Sequence, residues 1–271
     1  MPGPRKPLLF LEPINGIGNR IYLLNAGLAL TESTGVPLRI LWFQDTTLGC
    51  RLDQLFALPP ELQDVRQFRL GILNRPIRKI LRRYMAATCS FYAGPPDLKQ
   101  WMAEGFDFAR LSVQGRSYLW GYDEFVANPN GYRQFIPIPS LLRIIQSYAI
   151  DADTVGVHIR RGDHKNAEYF SPSERFEQAM DGEIRLNPRT RFFLATDSPE
   201  EEARFRDRYP GRILVHRKRS LDRNSAAGCQ DGLIDLYCLS NCRKLIGTCN
   251  SAFSLLAWKF RNIEHVIVTR G

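Results

Sequence analysis

The sequence predicts an α/β fold made of two doubly wound domains, each with a parallel sheet. Short buried apolar segments alternate with longer amphipathic segments along most of the chain, and this alternation is typical of strands joined by crossover helices. A proline-punctuated stretch over residues 128–139 separates two such runs. The chain has 271 residues, which is enough for two small domains. We therefore expect domains over residues 1–139 and 140–271.

The first domain opens with a strand, a glycine-rich turn, a helix and a second strand, and this order predicts the start of a doubly wound sheet. The segment from about residue 46 to 115 is less regular. The elements predicted for the opening are a strand over residues 8–11, a turn over 13–19, a helix over 20–34 and a strand over 38–43.

The second domain repeats the alternation of strand and helix, which predicts a second parallel sheet. Its predicted strands are residues 154–159, 191–196, 213–216, 244–247 and 266–269. Its predicted helices are residues 141–149, 173–185, 199–209, 232–242 and 251–260.

Composition points to a globular protein with an anionic partner. The formal charge of +9 fits nucleic acid, a nucleotide-sugar, phospholipid or lipopolysaccharide. No apolar stretch is long enough to span a membrane, and the N-terminal apolar segment is too short for a signal peptide. We expect a cytoplasmic location. The six cysteines are interpreted as small buried hydrophobes rather than a metal or redox pair at Cys238 and Cys242.

A basic segment over residues 75–84 predicts an amphipathic helix with its five cations on one face. Such a helix could lie on an anionic membrane. The alternative is a solvated basic face over a packed apolar one, and we favour this second interpretation.

The clearest candidate for chemistry is His158-Ile159-Arg160-Arg161-Gly162-Asp163, which ends the first strand of the second domain. In open parallel sheets, ligands bind at the carboxyl ends of the strands. The two neighbouring arginines suit a pyrophosphate, because guanidinium groups form bidentate, charge-assisted hydrogen bonds with phosphate oxygens. Gly162 would let the backbone approach the ligand. The alternative is a surface arginine pair bound to Asp163.

This motif resembles the HxRRGD signature of the α1,2-, α1,6- and protein O-fucosyltransferase superfamily. Other segments resemble parts of these enzymes in the same order along the chain, most weakly over residues 46–116. They are residues 15–20 with 34–37, which resemble the family's N-terminal GGxGNQ segment and its helix, then 118–122, 193–197, 235–240, 250–254 and 257–258.

The resemblance implies a GT-B-like fold, with two Rossmann-like domains facing a cleft. The acceptor would bind mainly to residues 1–139 and the GDP-sugar to residues 140–271. The implied reaction is an inverting, metal-independent transfer of L-fucose from GDP-β-L-fucose to a hydroxyl of a glycan. Linkage stays open between α1,6 and α1,2, because Glu168 resembles the first group and residues 250–258 the second.

The resemblance also implies residue roles. Arg160 would hold the β-phosphate, and Arg161 would support this clamp or the fold. His158 and Asp235 would contact guanine; a carboxylate suits guanine because it accepts from both the ring N–H and the exocyclic amine. An alternative for Asp235 is a carboxylate favoured by a helix dipole. The implied donor-binding residues are Gly16, Gly18, Asn19, His158, Arg160, Arg161, Asp235, Asn250 and Ser251.

A general base would take the proton of the acceptor hydroxyl as it attacks the sugar. Glu168 lies ten positions after His158, and a Glu at this spacing is the proposed base in α1,6-fucosyltransferases. Asp163 and His164 are competing candidates, and a solvated loop glutamate is the alternative for Glu168.

No metal or other cofactor is expected. The Asp151-Ala152-Asp153 triplet has the form of a metal-binding DxD, but it precedes the strand at residues 154–159 and therefore lies at the end away from the ligand. We interpret it as a polar turn.

The expected partners are a GDP-sugar donor and a glycan acceptor. In a bacterial glycan pathway the acceptor could be lipid-linked, with the enzyme peripheral to the inner membrane. Rival interpretations are a GT-B enzyme for another GDP-sugar, a non-catalytic GDP-sugar binder and a basic nucleic-acid-binding protein. The last lacks a recognised motif, and its basic runs, residues 75–83 and 216–219, carry no interleaved aromatics.

Overall fold

The computed structural model describes residues 6–113, 115–162 and 167–270. It divides the chain into two compact units. The first comprises residues up to Ile138 together with Asp222–Cys229, and the second comprises Pro139–Leu221 with the residues from Gln230 onward. The short return of the chain to the first unit at residues 222–229 was not part of the predicted domain boundary.

The first unit holds five parallel strands in the order β4-β2-β1-β6-β5. A short antiparallel pair, β3 and β7, lies apart from this sheet. The strands are β1 (Leu8–Pro13), β2 (Leu38–Phe43), β3 (Phe56–Ala57), β4 (Val65–Phe68), β5 (Phe91–Ala93), β6 (Arg116–Gly121) and β7 (Ile136–Pro137). The helices are α1 (Ile17–Thr34), α2 (Asn74–Thr88) and α3 (Pro95–Ala103).

The second unit holds five parallel strands in the order β10-β9-β8-β11-β12. Its strands are β8 (Thr154–Ile159), β9 (Arg191–Thr196), β10 (Ile213–Leu214), β11 (Lys244–Thr248) and β12 (Glu264–Val268). Its helices are α4 (Pro139–Ser147), α5 (Ala167–Phe170), α6 (Ser173–Leu186), α7 (Pro199–Arg208), α8 (Ala226–Ser240, whose first residues group with the first unit) and α9 (Ala252–Arg261).

Each sheet is covered by apolar side chains from its own crossover helices. In the second unit, Val157 and Leu194 on the central strands pack with Phe176 and Met180 of α6 and Phe205 of α7, all fully buried. Burial on both faces explains why these strands read as continuous apolar runs, which is the pattern of a parallel sheet. The predicted α/β fold with two parallel sheets is confirmed.

Several element boundaries differ from the prediction. Helix α1 begins at Ile17 rather than residue 20, because Gly16 is extended and starts the helix directly after the turn. Helix α8 begins at Ala226 rather than residue 232, and Ser225 Oγ accepts a hydrogen bond from the Gly228 N–H in its first turn. The other predicted boundaries that differ do so by two residues or fewer, apart from the end of α2, which lies at Thr88 rather than residue 84.

Helix α2 corrects the expected orientation of the basic segment. Arg78 and Arg82 point inward, and the apolar side chains of Ile80 and Tyr84 are 66% and 58% exposed. Arg78 Nε and Arg82 Nη2 each lie 2.6 Å from Oε1 of the fully buried Glu12. Leaving a buried carboxylate without its cations costs more than exposing two apolar side chains. The favoured interpretation, a solvated basic face over a packed apolar one, is therefore wrong for these four side chains, while Arg75, Lys79 and Arg83 are exposed as it expects.

Among the described residues, no helix is both long enough and apolar enough to cross a membrane.

Candidate functional site

The arginine motif lies at the switch point of the second sheet. Strand β8 pairs with β9 on one side and with β11 on the other, so the crossovers on its two sides run in opposite directions. His158 and Arg160 lie at the carboxyl end of β8, and Asn250 and Ser251 follow the end of β11. The carboxyl ends of strands at such a reversal frame the ligand crevice of open α/β sheets.

His158 is buried and neutral. Its Nδ1 lies 2.7 Å from Ser254 Oγ, and its ring centroid lies 4.8 Å from that of Phe253. Burial, together with the nearby cations Arg160 and Lys218, lowers the pKa of His158 to about 3. The ring is therefore a fixed hydrogen-bonding and packing group rather than a charge.

Arg160 is held at the strand end while its side chain still reaches solvent. Its backbone N–H donates to Thr248 Oγ1 at 2.9 Å, and Thr248 Oγ1 donates to the carbonyl of His158 at 2.8 Å. Its guanidinium pairs with Asp197 at 2.5 Å, and the Arg160 side chain is 18% exposed. The arrangement presents a positioned cation at the carboxyl end of the sheet.

Arg161 has a different role. Its Nε lies 2.7 Å from Glu201 and its Nη2 donates to Ser173 at 2.8 Å. These contacts join the end of β8 to the first turns of α7 and α6. At Gly162, an added Cβ would lie 2.6 Å from a carboxylate oxygen of Asp197, so a side chain there would displace the partner of Arg160.

Asp235 is a buried carboxylate with one oxygen free. Lys218 Nζ lies 3.0 Å from Oδ2, and Oδ1 has no hydrogen-bond partner among the described residues. Burial raises the pKa of Asp235 to about 6, although Lys218 opposes this shift. A buried acceptor without a donor is costly in a folded protein, so this oxygen is suited to accept from a bound ligand.

The basic run at residues 216–219 is largely neutralised by carboxylates of α8. Lys218 pairs with Asp235, and Arg219 Nη2 lies 2.7 Å from Asp231 Oδ1. His216 Nε2 also contacts Asp231, at 3.2 Å. This run therefore supplies little free charge for nucleic acid.

Asn250 and Ser251 form the turn into α9. Asn250 adopts a left-handed backbone conformation with φ 56°, and Ser251 Oγ caps the helix by accepting from Ser254 N–H. A helix N-terminus carries unpaired N–H groups and a partial positive charge, which favour an anion.

Gly16, Gly18 and Asn19 lie in the first unit. Gly16 ends the turn between β1 and α1, and Gly18 and Asn19 lie in the first turn of α1. Asn15 before them has φ 67°. The fully buried Arg20 donates to the carbonyls of Asn15 and Phe43, both at 2.7 Å, and so fixes the turn against the end of β2.

Of the candidate bases, Glu168 is exposed on the short helix α5. Asp163 and His164 lie outside the described residues.

The Asp151-Ala152-Asp153 triplet is a polar turn at the amino end of β8, as predicted. Asp151 accepts from Thr154 Oγ1 at 2.8 Å and pairs with Arg191 at 2.8 Å. Asp153 accepts from Asn187 and pairs with Arg189. The part of the chain that the structure describes contains no group of three or more His, Cys, Asp or Glu placed to hold a metal ion. Cys238 and Cys242 are buried, and burial raises the pKa of both thiols.

Three contact residues were missed as site residues by sequence reasoning. Ser254 orients His158, Asp197 holds Arg160, and Lys218 pairs with Asp235. Ser254 and Asp197 lay within segments that carried the family resemblance, which was their only signal. In the sequence, Lys218 is recognisable only as part of the basic run at residues 216–219.

No protein-family model matches the sequence, and no curated protein matches it. Solved structures do match, over nearly the whole chain. The crystal structure of NodZ α-1,6-fucosyltransferase soaked with GDP-fucose aligns with a TM-score of 0.63 at 15% identity, covering 94% of this chain and 93% of that chain. A mutant of Arabidopsis thaliana FUT1 in complex with GDP aligns with a TM-score of 0.65 at 14% identity, and the alignment covers 98% of this chain and 71% of that chain. POFUT1 in its apo form aligns with a TM-score of 0.59 at 11% identity, and the alignment covers 97% of this chain and 98% of that chain. The GT-B-like fold expected from the resemblance is confirmed.

Proposed function

We propose that this protein is an inverting, metal-independent fucosyltransferase that transfers L-fucose from GDP-β-L-fucose to a glycan hydroxyl. One observation carries the proposal: the arginine motif ends β8 at the switch point of a sheet whose fold is shared with fucosyltransferases crystallised with GDP or GDP-fucose. A site that binds diphosphate needs positioned cations at this edge, and Arg160 is one.

In this proposal Arg160 binds the β-phosphate of GDP and Arg161 supports the strand end. The α9 N-terminus at Asn250 and Ser251 adds unpaired N–H donors for the nucleotide. Because the charge on GDP grows as it departs, fixed cations and dipoles stabilise the transition state more than the bound donor. The contacts of Arg161 with Glu201 and Ser173 support its structural role.

Guanine recognition is proposed for Asp235 and His158. The free Oδ1 of Asp235 supports this role, because guanine offers two neighbouring N–H donors and no donor from the part of the chain that the structure describes reaches this oxygen. The neutral His158, held by Ser254, offers a ring face and one nitrogen without adding charge.

The acceptor hydroxyl attacks the fucosyl carbon while a carboxylate removes its proton. Glu168 is the base in this proposal, with Asp163 and His164 as competitors, and attack opposite the β-linked GDP gives an α-fucoside. Gly16, Gly18 and Asn19 would approach the diphosphate or the sugar from the first unit. The α1,6 and α1,2 linkages are distinguished by analysis of the product.

Contact with an anionic membrane, and hence a lipid-linked acceptor and a cytoplasmic location at the inner membrane, is also proposed. The exposed Ile77, Ile80 and Tyr84 of α2 support it, since they share one face of the helix. Replacing Ile80 and Tyr84 with serine should reduce sedimentation with phosphatidylglycerol vesicles, and equal sedimentation would refute the contact.

The decisive experiment is calorimetric titration of GDP, with EDTA present, into the wild type and Arg160→Ala. Loss of one charge-assisted phosphate contact should weaken binding by about 1.5–3 kcal/mol, which is roughly tenfold or more. Turnover of GDP-fucose with acceptor glycans then separates a transferase from a non-catalytic binder. Absence of GDP binding by the wild type, or equal binding by the variant, would contradict the proposal.

A further inference from the structure

An open cleft with a volume of about 1100 Å³ lies at the carboxyl edge of the first sheet. Its walls come from the residues that follow β1, β2 and β4, and from one face of α2. Of the described residues that line it, six are cations and one, Asp45, is a carboxylate. The cations are Arg69, Arg75, Arg78, Lys79, Arg82 and Arg83.

Two of these cations are neutralised by the protein itself. Arg78 pairs with Glu12 and with Asp45, and Arg82 pairs with Glu12. These two cations therefore hold α2 against the sheet, and the carboxylates of the same unit largely neutralise their charges.

The other four cations have no carboxylate partner among the described residues. They are exposed in the cleft. Arg75, Lys79 and Arg83 follow one another at four-residue intervals on α2, and like charges at this spacing destabilise a helix. A row of unpaired like charges facing a cavity is explained if a bound anion offsets the repulsion.

The rest of the cleft suits a sugar. Asn15, Gln44 and Thr46 supply amide and hydroxyl groups for sugar hydroxyls, and the ring of Tyr92 supplies an apolar surface. A ligand with both a phosphoryl group and sugar hydroxyls would satisfy the two parts of this lining.

We propose that this cleft binds a phosphoryl group carried by the acceptor glycan, so that the enzyme acts on a sugar phosphate or diphosphate rather than a neutral oligosaccharide. This inference rests on the proposed function only in calling the ligand an acceptor. The cations of α2 bind the phosphoryl group, and the donor's diphosphate is bound separately at Arg160.

The test is calorimetric titration of N-acetylglucosamine 1-phosphate, N-acetylglucosamine and inorganic phosphate into protein saturated with GDP. The variant is Arg75→Gln with Lys79→Gln and Arg83→Gln; these side chains are exposed, so the fold should be kept. The matched control removes three exposed cations from outside the cleft, by Arg133→Gln, Arg143→Gln and Arg185→Gln. GDP titration of each protein reports on the donor site independently.

The sugar phosphate should bind the wild type and the control alike, and the cleft variant at least about tenfold more weakly. GDP affinity should be the same in all three proteins. Equal binding of the sugar phosphate to the cleft variant, or no binding to the wild type, would overturn the proposal. So would inorganic phosphate binding as tightly as the sugar phosphate, since the cleft would then select a free anion. A cleft variant that loses GDP affinity would assign the cations to the donor.

Discussion

Glu12 in the first unit and Asp235 in the second are both buried against cations, but the two carboxylates are satisfied to different degrees. Glu12 in β1 is fully buried, and Arg78, Arg82 and the hydroxyl of Tyr118 occupy its two oxygens. Asp235 in α8 is 4% exposed and meets Lys218 through one oxygen only. The other oxygen has no hydrogen-bond donor within residues 6–113, 115–162 and 167–270.

This difference separates a structural carboxylate from one suited to a ligand. A fully paired group stabilises the fold, and removing it leaves its cations without a partner. A buried acceptor that the protein leaves unpaired lowers stability, and a ligand that donates to it would offset this cost. Burial alone would not have distinguished Glu12 from Asp235.

The largest effect is expected for Glu12→Gln. The substitution keeps the shape of the side chain but leaves the partly buried Arg82 without its carboxylate and Arg78 with Asp45 alone, so the free energy of unfolding should fall by about 3 kcal/mol. Urea unfolding followed by circular dichroism measures this change. Asp53→Asn removes the carboxylate of the exposed Arg51–Asp53 pair and should leave the unfolding curve unchanged. If Glu12→Gln were as stable as the wild type, Glu12 would not be a structural carboxylate, and its proposed difference from Asp235 would be wrong.

Asp235→Asn should affect binding instead. Because the neutral amide accepts weaker hydrogen bonds from the guanine donors than the ionised carboxylate does, guanosine affinity should fall by about 1.5–3 kcal/mol, or roughly tenfold or more. Calorimetry with guanosine isolates this contact from the phosphates. Asp207→Asn, on the exposed side of α7, should bind guanosine like the wild type. An unchanged affinity in Asp235→Asn would show that the free oxygen does not bind guanine.

The same contact should depend on pH. With the pKa of Asp235 raised to about 6 by burial, the carboxylate is mostly protonated at pH 5 and mostly ionised at pH 7. Guanosine should therefore bind about tenfold more tightly at pH 7 than at pH 5. His158 does not titrate in this range, because its pKa lies at about 3. In Asp235→Asn, guanosine affinity should be the same at pH 5 and pH 7. If the variant keeps the pH dependence of the wild type, another group causes it.

The smallest effect is expected for Ser254→Ala. Losing the hydroxyl that lies 2.7 Å from His158 Nδ1 frees the ring to rotate and should weaken GDP binding by about 1 kcal/mol, or roughly fivefold. Ser240→Ala removes a buried hydroxyl that donates only to the carbonyl of Tyr237 in its own helix, and GDP titration should show no change. Equal losses in the two variants would indicate a general loss of packing.

The sequence was sufficient for elements that depend on local pattern. The strands at Leu38–Phe43, Thr154–Ile159 and Arg191–Thr196 begin and end where the apolar runs predict, because a strand buried on both faces has to be apolar throughout. The position of Arg160 and Arg161 at the end of β8 followed from the same pattern. The start of α8 was missed, because residues 226–231 are small or polar and carry no apolar period.

By itself, then, the sequence determined the α/β class, the order of the elements and the placement of the arginine motif at the end of a strand. Only the tertiary structure decided which charges are paired. Arg82 meets Glu12 across 70 positions and Ser254 meets His158 across 96, and no local pattern encodes such distances. The inward rotation of α2, the unpaired cations of its cleft and the free oxygen of Asp235 all follow from these long-range contacts, because the energy of a charge depends on the groups that folding brings beside it.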